Sequence, residues 1–180
     1  MSKKLPYFIF LLFTLSYLSS CTTNNEKEIK SVEELSIKVK LLKSTFESVN
    51  MDDVKFAKDS YKTNMDKISM YHVSDTIEYD FAHTLSLYKG VKKTGKNLNE
   101  NYRTNKKNIE MLILQLDKLK IDIENNAIQK DSIQSFIDFE TKNVTKLSDD
   151  IGTFVTNCEY ILETHDAYAE KVRGYTVAFK

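Results

Sequence analysis

The chain has 180 residues, 41% of them hydrophobic and 29% charged, and its 26 basic residues balance 26 acidic ones. That length supports one domain with a proper core, and the balanced charge excludes a global attraction to nucleic acid or to an acidic membrane surface. With one proline, four glycines and two cysteines, the chain lacks the material for a turn-dense sheet fold or a disulfide scaffold, which points to a few long helices.

At the start of the chain, Lys3 and Lys4 precede an apolar run from Leu5 to Leu18 that ends in Leu18-Ser19-Ser20-Cys21. The run is 14 residues long, short of the ~20 needed by a membrane-spanning helix. Ser19 and Ser20 are small enough to expose the bond before Cys21 to a peptidase, whereas an ordinary secretory site prefers an Ala-x-Ala-like pattern and no alanine precedes Ala57. The segment resembles the type II signal peptide of bacterial lipoproteins. That resemblance implies cleavage between Ser20 and Cys21, diacylglycerol on the Cys21 sulfur, and a membrane partner reached through this anchor in the cell envelope. Thr22 after the cysteine, where Asp favours inner-membrane retention, implies the outer membrane in a cell that has one. The resulting division is a signal peptide over 1–20, a lipidated tether over 21–28, a helical bundle over 29–174 and a tail over 175–180.

Cleavage would remove Lys3 and Lys4 but no acidic residue, which leaves a net charge of −2. The basic residues are 24 lysines against Arg103 and Arg173 alone, which is poor in the planar forks that grip phosphate or carboxylate bidentately. With Cys21 lipidated, Cys158 is the one remaining thiol, so neither an intramolecular disulfide nor a cysteine zinc site can form.

The first helical seam runs Val32, Leu35, Val39, Leu42, Phe46, Val49 in steps of three and four. A five-residue step to Val54 breaks the heptad, predicting either a turn capped by Asn50 or Asp52 or a local distortion of one long helix. The seam resumes as Val54, Ala57, Tyr61, Met65, Ile68, His72, and Val73-Ser74-Asp75 reads as a turn before Ile77, Phe81, Leu85, Tyr88. Residues 89–107 are the most polar stretch. A helix restarting near Asn97 places Glu100 as a near-match to a capping box, and its seam runs Leu98, Tyr102, Asn105, Ile109, Leu112, Leu116, Leu119, Ile123.

Met111 to Leu114 is apolar on all sides, which predicts deep burial or a second surface, and Asn125-Asn126 reads as a stop. The last seam, Ile133, Ile137, Glu140, Val144, Leu147, Ile151, Phe154, Cys158, Ile161, His165, Tyr168, Val172, predicts one long helix with Gly174 as its C-terminal cap. The tail Tyr175 to Phe179 alternates large and small residues like a strand and is expected to dock on the bundle. The expected fold is therefore all-α: an elongated antiparallel bundle of three long helices with coiled-coil-like seams, broken into five if the irregular points interrupt the first two arms.

Chemistry-bearing residues are sparse. His72, His83 and His165 are candidate ligands or acid-base groups, and Asp80 with His83 resembles the Glu-x-x-His element of di-iron bundles, but that site needs two such elements and no second copy exists. No nucleophile elbow, phosphate loop or metalloprotease motif occurs, so no catalytic residue, cofactor or metal is expected. The strongest charge feature is Lys89, Lys92, Lys93, Lys96, Arg103, Lys106 and Lys107 against Glu100. It reads either as a patch for anionic lipid or envelope polymer or as a solvated helix break, and the second is the ordinary fate of lysine-rich segments.

Beyond the leader, the chain resembles small helical lipoproteins of unknown function. The expected role is a lipid-anchored, non-catalytic scaffold that binds a protein partner and no nucleic acid. Two alternatives stand beside it: a bundle holding a small ligand or metal near His165, Tyr160 and Tyr168, and an envelope immunity or inhibitor lipoprotein.

Overall fold

A computed structural model describes residues 25–71 and 78–177. The leader with Ser20 and Cys21, the residue His72, the turn at Ser74 and Asp75, the seam residue Ile77 and the last three residues lie outside the described residues. The described residues form six helical segments and no strand: α1 (Glu26–Glu47), α2 (Met51–Tyr71), α3 (Tyr79–Tyr88), α4 (Gly90–Thr94), α5 (Leu98–Glu124) and α6 (Lys130–Val177). At 48 residues, α6 extends about 72 Å at 1.5 Å per residue and packs against all five other helices.

Residue pairs give the order of the packing. Asn25 at the start of α1 donates to the Ile123 carbonyl near the end of α5, and Phe46 near the end of α1 stacks on Tyr102 near the start of α5, so these helices run antiparallel. Phe46 meets Phe154 and Phe56 meets His165, which sets α1 and α2 parallel to α6. Tyr102 with Phe154 and Phe81 with Tyr175 set α3 and α5 antiparallel to it.

The irregular points resolve as breaks. The Asn50 side-chain oxygen accepts from the Asp52 and Asp53 amides at 3.1 and 3.4 Å, capping two orphan donors at the start of α2, while both aspartates favour the positive end of that helix. At the other end of α5, Asn126 has φ 53°, the Ala127 amide reaches the Asp122 carbonyl, and the Asn126 amide reaches that of Ile123. Those two bonds around a left-handed residue are a Schellman stop, here made with asparagine in the place glycine usually takes.

Three local expectations fail. Asn97 precedes α5, but its side chain makes no capping bond, so the capping box with Glu100 does not form. Gly174 is not a cap: α6 continues through it to Val177, and no described glycine has positive φ. Residues 175–177 continue α6 instead of forming a separate tail, although the Tyr175 ring, 4.3 Å from that of Phe81, docks this turn on the bundle at α3.

The seams are largely as read, with Val32, Val39, Val54, Tyr88, Leu98, Leu116, Ile123, Val144, Ile151, Phe154, Cys158, Ile161 and Val172 almost wholly buried. Near the end of α6 the buried stripe moves onto Thr164 and Ala169, leaving His165 and Tyr168 half-buried, because a straight helix drifts against a 3.5-residue repeat. Met111 and Leu114 are exposed at 42% and 70%, so this turn is not deeply buried.

Candidate functional site

Four of the seven predicted basic residues, Lys89, Lys92, Lys93 and Lys96, line one open groove of about 960 Å³. Opposite them on α2 stand Lys58 and Lys62, one turn apart, and Asp66 is the single acid on the rim. Six ammonium groups therefore face one carboxylate, and among the described residues none of the six makes an ion pair. The floor is apolar: Tyr61 and Val91 are buried, and Met65 is partly covered. Lysines suit this shape because their stems lie along apolar surface while their charged ends stay in water.

Gly95 lies where the Lys58 stem crosses between the two walls. A Cβ there would sit 2.9 Å from the Val91 carbonyl oxygen of its own turn and 3.1 Å from Cε of Lys58, so glycine leaves the turn unstrained and gives the Lys58 stem room across the end of α4. Gly90 plays the corresponding part toward α6, where a Cβ would meet the Tyr160 hydroxyl at 2.2 Å. Both glycines serve close approach, while the backbone around them stays right-handed.

Arg103, Lys106 and Lys107 belong to another surface: all three are exposed on α5 and none lines the groove. The sequence patch therefore divides at Asn97. Lys58 and Lys62 had escaped the sequence reading; the signal present there is a lysine pair flanking Tyr61 at helical spacing, beside the buried seam.

Behind the floor, the Tyr61 and Tyr88 rings lie 5.0 Å apart and Asn64 donates to the Tyr88 hydroxyl at 3.3 Å. Burial pushes both phenols above their ordinary range; the Tyr88 charge adds to the shift of Tyr61, while hydrogen bonds from Asn64 and Ser60 pull against that of Tyr88. Cys158 is buried on α6, and its thiol is pushed up to about 11 by burial and then by the Glu159 charge, with Lys58 opposing. Such a thiol is a small core residue and a poor nucleophile at neutral pH.

The remaining candidates stay apart. His165 presents its ring edge to Phe56, places Nδ1 3.5 Å from Asp166, and leaves Nε2 buried without a partner among the described residues. Tyr160 is exposed at 42%, and Tyr168 carries the Lys171 ammonium 5.5 Å above its ring. Asp80 and His83 are exposed, with His83 parallel to the Tyr79 ring. Among the described residues no three His, Cys, Asp or Glu side chains gather as a metal site, and no helix is long and apolar enough to cross a membrane. No family model, curated protein or solved structure matches this chain.

Proposed function

We propose that the chain is a lipid-anchored, non-catalytic protein of the cell envelope that binds a protein partner, built as an elongated antiparallel bundle of three arms: α1 with α2, α3 through α5, and α6. The leader ending in Leu18-Ser19-Ser20-Cys21 supports the anchor, and Thr22 supports the outer membrane as its site. The observation that carries the binding role is a pair of exposed aromatic side chains on the half of the bundle nearest the anchor. Phe136 and Phe139, one turn apart on α6, are 47% and 58% exposed, and Leu114 and Ile121 stand out on α5. Aromatic side chains left in water are the usual anchors of protein interfaces.

Two measurements test the two halves of this reading. Cells fed labelled palmitate should incorporate label into the wild-type chain and not into Cys21→Ala; an unlabelled, unprocessed wild type sinks the anchor. Photo-crosslinking from position 139 in intact cells should give one dominant adduct that is lost in Phe136→Glu. If adducts from position 139 are as diffuse as those from an exposed lysine position such as Lys142, the interaction surface is wrong.

A further inference from the structure

We infer that the groove between α2 and α4 is a binding site for a compact, multiply charged oxyanion of the polyphosphate class. Three features converge. Lys58 and Lys62 come from one helix and Lys89, Lys92, Lys93 and Lys96 from a segment about thirty residues later, so the fold itself gathers six like charges around one cleft. Unneutralised like charges at such density repel one another, and among the described residues the rim offers them one acid, Asp66. Gly95 leaves room for the Lys58 stem, whose Cε would lie 3.1 Å from a Cβ there, to cross to the other wall.

The lysine-only rim also narrows the ligand. Lysine acts as a mobile point charge without the fixed fork of arginine, which fits several phosphates along a short chain better than one carboxylate held in a single geometry. The shared chemistry is the oligophosphate group, whether free or displayed on a lipid headgroup. Distance favours the free form: Tyr61 lies 36 residues beyond Asn25, about 54 Å along α1 and α2, so the groove is at the end of the bundle far from the point where Cys21 would tie the chain. That last clause rests on the anchoring proposed above; the groove itself does not.

The test is titration of the full-length protein in neutral detergent with inorganic tripolyphosphate, followed by calorimetry at low and high ionic strength. Lys62→Gln/Lys92→Gln/Lys96→Gln should weaken binding by about tenfold or more, and Arg103→Gln/Lys106→Gln/Lys107→Gln, which removes the same charge outside the groove, by less than about twofold. In the wild type, tripolyphosphate should slow reductive methylation of Lys62 and Lys92 and leave Lys106 unaffected. A parallel flotation assay uses vesicles of phosphatidylcholine with and without phosphatidylinositol bisphosphate. Groove-dependent flotation without tripolyphosphate binding would assign the site to a phosphorylated headgroup; equal losses in the two triple variants, or no binding of either probe, would overturn it. Palmitate labelling at Cys21 reads the anchor separately, so failure of one proposal is not mistaken for failure of the other.

Discussion

The two halves of α6 pack against different kinds of neighbour. Its first half shares a core of aliphatic residues with α1 and α5, including Val32, Val39, Leu112, Leu116, Ile123, Ile133, Ile137 and Val144. Its second half meets α2, α3 and α4, where Tyr61, Phe81, Tyr88 and Tyr175 pack. Branched aliphatics of similar size interdigitate along unbroken helices, as α5 and α6 do. Large rings need room opposite them, and Gly90 leaves it for Tyr160, whose hydroxyl a Cβ would meet at 2.2 Å. The aromatic half carries the Asn64–Tyr88 hydrogen bond, the one-turn α4 and the cationic groove, while the aliphatic half buries Asn25, Asn105 and Glu140. A uniform three-four seam thus supports an aliphatic end along unbroken helices and an aromatic end that carries a cleft.

The largest test of this contrast is Phe154→Ala. Phe154 sits where the halves meet, against Phe46 and Tyr102, so its loss should cost about 3–5 kcal/mol in denaturant unfolding and uncouple hydrogen-exchange protection of the two ends. Uniform loss of protection would mean that the halves are one cooperative unit. Tyr88→Phe acts on the aromatic half alone. It strands the buried Asn64 amide and should cost about 1–3 kcal/mol, with faster exchange in α2 and α3 and little change around Leu116.

Asn50→Ala removes the cap of α2 and should cost about 1 kcal/mol, with fraying confined to the first turn of α2. Gly152→Ala should stabilise by about 0.5–1 kcal/mol, because Gly152 lies exposed in the middle of α6 with open space around its Cα. Gly95→Ala should go the other way, since the new methyl meets the Val91 carbonyl oxygen.

The smallest effect at neutral pH concerns Cys158. Its folded thiol is raised from the ordinary 9.0 to about 11, so the stability tied to keeping it protonated is fully present below pH 9 and is lost as pH rises toward 11. Cys158→Ala should flatten the alkaline fall in stability over that window, leaving the part due to Tyr61 and Tyr88. If the two proteins lose stability in parallel between pH 9 and 11, the thiol titrates without hindrance.

Periodicity made much of the helical frame legible. The heptad break at Asn50, the stop at Asn126 and nearly every seam position follow from side-chain spacing and asparagine's local hydrogen bonding. Gly174 was misread because a glycine near a chain end has the composition of a cap, whereas the Tyr175 contact with Phe81 lies far off in sequence. The candidate site was half legible. The lysine run at 89–96 is plain, but its partition from Arg103, Lys106 and Lys107 depends on where Gly95 and Asn97 turn the chain.

By itself the sequence determined the helices, their inward faces and the lipoprotein-like leader, because each depends on neighbours within one or two turns. Only the tertiary structure decided that Lys58 and Lys62 face Lys89 to Lys96, that Gly90 and Gly95 are there for close approach, and that Tyr61, Phe81, Tyr88 and Tyr175 gather at one end. Those outcomes depend on the register between helices, set by how the buried side chains interlock, and register determines which outward residues become neighbours.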